Sequence, residues 1–277
     1  MRLGGPATGD SSTPEAWIAT LRRLNYRAAY CPVGLDADEE RIAAYARAAA
    51  DADIVIAEVG AWSNPISPEE AVRQAALDRC KAALTLAERI GAVCCVNIAG
   101  ARGETWDGPH PDNLTGETFD RIVDTTREII DAVEPRRTFY TLEPMPWVFP
   151  DSPDSYLRLI AAIDRPQFGV HLDPVNMINC PARCFDNAGF LRECFEKLGP
   201  YVKSVHAKDI TIAPKLTVHL DEVRPGLGVL DYRVFLTEAA KLGPDMPFLL
   251  EHLPTAEEYD LAAAHVRSVA REIGVAL

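Results

Sequence analysis

Phe168-Gly-Val-His-Leu-Asp173 is a short apolar run that ends in an acid, and three other segments end in an acid or a histidine in the same way. These segments are Thr138-Phe-Tyr-Thr-Leu-Glu143, Val202-Lys-Ser-Val-His206 and Phe248-Leu-Leu-Glu251. Each run predicts a buried strand whose last residue is of a type that binds metal ions. The intervals between the segments each leave room for one helical crossover, which predicts parallel strands.

The rest of the chain continues this alternation of short β-rich runs and longer amphipathic segments. Strands are predicted at 1–5, 28–33, 53–59, 92–98, 138–143, 168–173, 202–207 and 248–252. Helices are predicted near 14–24, 39–52, 69–90, 115–133, 153–163, 187–198, 231–242 and 255–273. Eight such units most simply close into an α/β, single-domain (β/α)8 TIM barrel over residues 1–277, with an open doubly wound sheet as the alternative.

Residues typical of helix N-termini support these boundaries. Thr13-Pro14, Ser67-Pro68-Glu69-Glu70 and Asp231 are predicted to begin helices. The longer loops, 99–114, 144–152, 174–186 and 208–230, all follow strands. They therefore lie on the face where barrels place their active sites.

Composition narrows the class of protein. The 277 residues are 48% hydrophobic and 25% charged, as in a globular protein with a large core. A formal net charge of −13 argues against nucleic-acid and anionic membrane partners. No apolar run reaches the length of a membrane span or a signal peptide, and seven cysteines cannot all pair, so a cytoplasmic protein with reduced thiols is expected.

The four strand-terminal ligands define the candidate site. In a parallel barrel Glu143, Asp173, His206 and Glu251 meet at one mouth and could share one divalent ion. A set of three carboxylates and one imidazole suits Mn2+ or Mg2+, with Co2+ or Zn2+ as alternatives. Any one of the four could instead be a helix cap or a solvated loop residue.

The same segments carry a family resemblance. Leu142-Glu143-Pro144, His171-Leu-Asp173-Pro-Val-Asn176, Val205-His206-Ala-Lys208-Asp209, Pro225-Gly-Leu-Gly228 with Asp231-Tyr232, and Leu250-Glu251 resemble the sugar phosphate isomerase/epimerase superfamily of xylose isomerase-like TIM barrels. The resemblance extends over essentially the whole chain. It implies that Glu143, Asp173, His206 and Glu251 bind one catalytic divalent ion.

A physical account of the reaction accompanies the resemblance. A metal with these ligands can still take two oxygens of a keto-alcohol, polarise the carbonyl and stabilise the enediolate formed by proton abstraction. Glu143 and Glu251 are the natural pair to remove and return that proton. In ketose epimerases of this family the equivalent glutamates bind the metal and also transfer the proton, and the resemblance implies both roles for Glu143 and Glu251.

Further residues near the predicted mouth are candidates for substrate binding. They are Glu58, Trp62, His110, Trp147, His171, Asn176, Lys208 and Arg224. Structural roles compete for several of them, including a barrel-interior histidine for His171, an ion pair for Lys208 and a solvent-exposed position for Arg224. Asn176 departs from the family pattern, because epimerases and endonucleases of the family often have a histidine there.

Three functions therefore stay open. The first is a metal-dependent sugar isomerase or epimerase, and the second is a lyase or dehydratase that eliminates a β-leaving group from a keto-sugar, keto-glycoside or inosose. An AP-endonuclease-like nuclease is the third and is disfavoured by Asn97, Asn176 and the acidic charge. No dense Arg/Lys cluster marks a phosphate clamp, so the expected partner is an unphosphorylated carbohydrate, and a homo-oligomer is expected from the family.

Overall fold

A closed barrel of eight parallel strands forms the centre of the computed structural model, which describes residues 1–277. In chain order its strands are β1 (Arg2–Gly5), β2 (Ala28–Tyr30), β3 (Val55–Gly60), β4 (Cys94–Asn97), β5 (Phe139–Leu142), β6 (Phe168–Leu172), β7 (Val202–Ala207) and β10 (Pro247–Leu250). Strands β8 (Asp209–Ala213) and β9 (His219–Val223) form a separate antiparallel hairpin. Pairing of β1 with β10 closes the barrel, which confirms the predicted fold and excludes an open sheet.

Helices surround the barrel. The longer ones are α1 (Pro14–Leu24), α2 (Glu39–Asp51), α3 (Glu70–Ile90), α4 (Gly116–Val133), α5 (Pro153–Ile163), α8 (Asn187–Leu198), α9 (Tyr232–Ala240) and α10 (Ala256–Ile273). Short ones are α6 (Pro174–Met177), α7 (Pro181–Phe185) and two 3-10 turns, Pro111–Leu114 and Gly199–Tyr201. None of these helices combines the length and apolarity that a membrane crossing requires.

Most predicted helix starts are confirmed. The Thr13 side chain accepts from Ala16 N, and the Asp231 side chain accepts from Val234 N. The Ser67-Pro68-Glu69-Glu70 motif also lies at the start of α3, which begins at Glu70, but Ser67 does not cap it, because Ser67 Oγ accepts a hydrogen bond from Glu69 N in the preceding turn. The predicted loop 208–230 also differs, since it contains the β8–β9 hairpin.

The hydrophobic core lies between the barrel and its helices. One cluster of 64 buried residues runs through the molecule, and strands such as β6 are buried along their full length. Strands covered on both faces are continuous apolar runs for this reason. This packing holds the strand ends, and the residues that follow them, in fixed positions.

Candidate metal centre

The four predicted ligands come together at the C-terminal mouth of the barrel. Glu143, Asp173 and Glu251 directly follow β5, β6 and β10, and His206 lies near the end of β7. Each offers a ligand atom, and these atoms all lie within 4.8 Å of one another. All but Glu251 are fully buried, and the Glu251 side chain is only 12% exposed. The structure therefore contains a candidate metal-binding cluster of three carboxylates and one imidazole.

Two of the carboxylates are held by one oxygen each. Asp173 caps α6, and its Oδ1 accepts from the backbone N–H groups of Val175 (3.0 Å) and Asn176 (3.2 Å). Glu143 Oε1 accepts from the Asn176 side-chain amide at 2.8 Å. Asn176 thus anchors both acids, which leaves the second oxygen of each carboxylate available at the centre of the cluster.

His206 has carboxylates on both sides of its ring. Its Nε2 lies 3.3 Å from Glu58 Oε1, while its Nδ1 lies 2.8 Å from Glu251 Oε2 and 3.6 Å from Glu143 Oε2. A carboxylate that accepts the N–H on one side of a histidine fixes its tautomer and presents the other nitrogen for a metal. Glu58 therefore orients Nδ1 of His206 into the cluster.

The ligand atoms that face the centre are engaged by charged groups of the cluster itself. Asp173 Oδ2 and Glu251 Oε2 lie 2.8 and 3.0 Å from the Lys208 ammonium, and His206 Nδ1 lies 2.8 Å from Glu251 Oε2. Three carboxylates thus converge on one ammonium and one imidazole, and each carboxylate has more oxygen lone pairs than these two groups occupy. Hard carboxylate oxygens with one imidazole fit a divalent cation.

Lys208 places a positive charge inside this cluster. Its ammonium lies 2.8 Å from Asp173 Oδ2, 3.0 Å from Glu251 Oε2 and 3.4 Å from Glu143 Oε1, and the side chain is 1% exposed. Burial would lower the pKa of Lys208, but Asp173 and Glu143 raise it well above its usual value. The lysine therefore stays charged and shares its carboxylates with any bound ion.

The histidines and glutamates of the cluster have strongly shifted pKa values. Burial would lower the pKa of His206, but the carboxylates of Glu251 and Glu58 raise it well above its usual value. Burial would raise the pKa of Glu251, but the charge of His206 lowers it to about 2. The pKa of Glu143 lies well below its usual range because Lys208 and His206 outweigh burial. Both glutamates are therefore ionised at neutral pH.

His171 lies beneath the cluster in the barrel interior. It is fully buried, its Nδ1 is 3.4 Å from Glu58 Oε2, and neither ring nitrogen makes a hydrogen bond. Burial and the nearby charge of His206 lower the pKa of His171 to about 4, so its ring is neutral. The predicted barrel-interior position is confirmed, whereas the expected hydrogen bonding is not found.

A cavity of about 560 Å3 opens above the cluster. Five of its lining residues were predicted from the sequence as ligands or substrate contacts at the mouth: Trp62, Glu143, Trp147, Asn176 and Glu251. A neighbouring cavity of about 640 Å3 lies at the ends of β2 and β3, and its lining includes Glu58 and Trp62. The mouth thus has two adjoining cavities, and Trp62 lines both.

Five predicted substrate contacts do not line this 560 Å3 cavity, namely Glu58, His110, His171, Lys208 and Arg224, and two of them, His110 and Arg224, also lie outside the metal cluster. His110 caps the 3-10 turn at Pro111–Leu114 by accepting from Asp112 N. Arg224 pairs with Glu258 at 2.7 Å. The structure therefore gives both residues local structural partners, and their roles toward substrate stay predictions.

Sequence reasoning missed several residues that line the cavity, among them Glu222, His252 and Trp106. Glu222 comes from β9 of the hairpin, and His252 follows Glu251 with a positive φ of 55°. Trp106 lies in the β4–α4 loop, from which the sequence analysis selected only His110. An exposed tryptophan in a loop after a strand is the signal that should have pointed to Trp106.

The sequence matches a family model described as xylose isomerase-like TIM barrel over residues 18–269. The chain therefore belongs to the xylose isomerase-like TIM barrel family, which confirms the resemblance inferred from its strand-end motifs. No curated protein sequence matches the chain at a significant level.

Solved structures with the same fold include enzymes of two reaction types. D-psicose 3-epimerase from Clostridium cellulolyticum H10, crystallised with D-tagatose, has a TM-score of 0.70 at 14% identity over 100% of both chains. A probable 3-DHS dehydratase from Bacillus anthracis has a TM-score of 0.66 at 15% identity, covering 91% of this chain and 92% of that one. A xylose isomerase-like protein from Mycobacterium smegmatis in complex with magnesium has a TM-score of 0.66 at 16% identity over 96% and 90%. These similarities establish the fold.

Proposed function

We propose that this protein is a divalent-metal-dependent sugar isomerase or epimerase that acts by proton abstraction next to a carbonyl. The observation that carries the proposal is the convergence of Glu143, Asp173, His206 and Glu251 at the barrel mouth, with ligand atoms that all lie within 4.8 Å of one another. The family membership and the epimerase neighbour support the same reaction class. The substrate would be a small, unphosphorylated carbohydrate.

The proposed ion is Mn2+ or Mg2+, with Co2+ or Zn2+ as alternatives, held by these four side chains. An oxygen-rich ligand set favours the harder cations, and one structural neighbour was crystallised with magnesium. When bound, the ion would supply Lewis-acid stabilisation of the negative charge that develops on the substrate oxygens.

Glu143 and Glu251 would move the proton. They follow β5 and β10, which are separated in the barrel by β6 and β7, so they approach the mouth from different sides. Both are ionised at neutral pH, as a base must be, because nearby positive charges lower the pKa of each. One glutamate would remove the proton from one face of the substrate, and the other, after taking up a proton from solvent, would return it to the opposite face.

A lyase or dehydratase is the second candidate, and His252 is the observation that favours it. His252 lines the cavity, and its ring lies 3.3 Å from Glu251 Oε1 and 3.4 Å from Glu222. The hydrogen bond with Glu222 raises the pKa of His252, which favours the imidazolium. A proton donor at the mouth beside the base could protonate a β-leaving group, as an elimination requires.

Proton NMR in D2O of the Mg2+-loaded protein, with a panel of ketoses and 3-keto-glycosides, tests the proposal. We expect deuterium to enter the carbon next to the carbonyl, and the product, whether epimer, isomer or eliminated aglycone, separates the two candidates. Glu143→Gln and Glu251→Gln should each slow exchange by at least about 100-fold, the typical contribution of general base catalysis.

Glu69→Gln is the matched control, because Glu69 is exposed and its side chain makes no capping bond at α3. Near-normal exchange in either active-site variant with metal still bound would overturn the assignment of the acid–base pair. A cytoplasmic location and a homo-oligomeric state stay predictions from the sequence.

A further inference from the structure

Three tryptophans from three different loops surround the cavity above the metal centre. Trp62 follows β3, Trp106 follows β4 and Trp147 follows β5, and all three line the same space of about 560 Å3. Their exposed fractions are 37%, 40% and 37%, so each leaves a large part of its indole uncovered. Three half-exposed tryptophans around one opening form an apolar rim, which isolated surface tryptophans would not.

Two of these indoles are held in place. Trp147 Nε1 donates to the backbone carbonyl of Asp107 at 2.8 Å, which ties the loop after β5 to the loop after β4. Trp62 packs over Gly60, where an added Cβ would lie 2.3 Å from the Trp62 Nε1. Gly60 is thus required for the indole to lie against the strand end. Fixed aromatic faces of this kind bind ligands at low entropic cost.

The charges of the cavity exclude one class of occupant. No arginine or lysine lines it, whereas Asp107, Glu143, Glu222 and Glu251 do. Lys208 is buried and engaged by three carboxylates, so it has no free charge to offer an anion. A phosphorylated or otherwise anionic substituent would meet repulsion at the rim. His252 is the one side chain of the lining that can carry a positive charge, and it is paired with Glu222 and Glu251, so the occupant of the outer part of the cavity is not an anion.

We infer that the tryptophan rim (Trp62, Trp106 and Trp147) is a subsite for an aromatic substituent carried by the carbohydrate, so that the substrate is a keto-glycoside with an aryl aglycone that bears no negative charge. This inference rests on the proposed function, because the metal centre below would hold the sugar end. A volume of about 560 Å3 falls within the range of about 300–1,000 Å3 typical of drug-sized ligands. The aromatic ring stacks on the indoles, and the hydroxyl-bearing ring reaches the carboxylates.

Competition binding to the Mg2+-loaded protein tests the subsite with stable probes. Phenyl β-D-glucopyranoside, methyl β-D-glucopyranoside and glucose 6-phosphate are titrated by saturation-transfer NMR and by tryptophan fluorescence. We expect the phenyl glycoside to bind about tenfold more tightly than the methyl glycoside, the effect of one good aromatic contact. Glucose 6-phosphate should be the weakest of the three.

Variants assign the effect to the rim. Trp106→Ala and Trp147→Ala should each weaken phenyl glycoside binding about tenfold and leave methyl glycoside binding unchanged, while Trp106→Phe keeps most of the affinity. Leu114→Ala is the control, since Leu114 is an exposed apolar residue outside the cavity. Titration of Mg2+ by calorimetry should give the same affinity in all four variants.

Equal affinities for the two glycosides, or no binding of the phenyl glycoside, would overturn the inference. Sedimentation of the alanine variants gives a further outcome: a loss of self-association would assign the rim to contact between copies of the chain instead. Failure of the proposed function is seen separately, as an absence of metal binding by the unmodified protein.

Discussion

The contact between Glu58 and His206 leads to a prediction about metal affinity. Glu58→Gln replaces the acceptor of the His206 Nε2 proton with an amide and should weaken Mn2+ binding about 10- to 100-fold, as loss of such partners does in other metal sites. Calorimetric titration of the metal measures this. In the metal-free protein, 15N NMR of the imidazole should show a lowered pKa of His206, because one of the carboxylates that raise it is lost, and a general loss of stability would not produce this.

Glu196→Gln is the matched control for Glu58→Gln, because Glu196 lies exposed on α8, away from the barrel interior. If Glu58→Gln bound Mn2+ with unchanged affinity, His206 would not depend on Glu58 for its orientation.

The raised pKa of His206 predicts that metal binding strengthens with pH. In the metal-free protein this imidazole is held protonated by Glu251 and Glu58. Its extra stabilisation is present at low pH and is lost as pH rises through the raised pKa. A metal must displace that proton, so its affinity should increase over the same pH range.

Calorimetry of Mn2+ binding in two buffers of different ionisation enthalpy counts the protons released. We expect between one and two protons per ion at neutral pH, because burial raises the pKa of Asp173 to about 7 and this ligand also loses its proton when the ion binds. Affinity that is independent of pH, with no release, would contradict a protonated His206.

At the level of residues, sequence reasoning predicted the candidate ligands that the structure brings together, but not the contacts that hold them. Glu143, Asp173 and Glu251 follow recognisable apolar runs, so their positions were readable. The contact of Glu58 with His206 joins β3 to β7 across the barrel interior, which no local pattern encodes. Sequence could name such residues only as candidates.

Among the elements, the β8–β9 hairpin depends on one buried acid. Asp209 accepts hydrogen bonds from four backbone N–H groups: those of Ile210, Gly226, Gly228 and Leu230. A Cβ added to Gly228 would lie 2.1 Å from Asp209 Oδ1, so the glycine makes room for the carboxylate. The turn after the hairpin is thereby fastened to its first strand.

Asp209→Ala should therefore lower the free energy of unfolding by about 2–4 kcal/mol, because several buried N–H groups would lose a charged acceptor. Urea unfolding followed by circular dichroism measures the change. Asp221→Ala on the same hairpin is exposed and should change the stability by less than about 0.5 kcal/mol. Equal effects of the two substitutions would contradict the role of Asp209.

The hairpin was also the main error in the predicted elements. Ile210 and Ile212 alternate with polar residues, as do Val218 and Leu220, which is the pattern of an antiparallel strand with one exposed face. Because these strands lack the continuous apolar run that is typical of barrel strands, the hairpin was not predicted. As a result Glu222, which the hairpin brings to the cavity, was not predicted.

For the molecule as a whole, the extensive core predicts that the fold does not depend on metal. The 64-residue core cluster should keep the far-UV circular dichroism unchanged after EDTA treatment. A metal at 100 times its Kd should still stabilise the protein by about 2.7 kcal/mol, or roughly 5–10 °C in Tm. Asp173→Asn should remove most of this shift, and unfolding on metal removal would contradict the prediction.

The barrel itself was the most predictable feature. Eight alternating units were readable from apolar runs and helix caps, and closure through β1 and β10 follows from their number. What could not be read is how the loops fold over the mouth, because Trp62, Trp106 and Trp147 are brought together by loop conformation alone. Site chemistry carried by strand ends is thus more predictable than substrate contacts carried by loops.

The ammonium of Lys208 within the carboxylate cluster has a consequence for how the protein would behave in a cell. It partly neutralises the acids when no ion is bound, so newly synthesised chains would fold without first binding a metal ion. If the proposed ion is required for activity, the folded, metal-free protein would be inactive until the concentration of exchangeable manganese or magnesium rises. The supply of the ion, rather than synthesis of the chain, would then set the fraction of active protein.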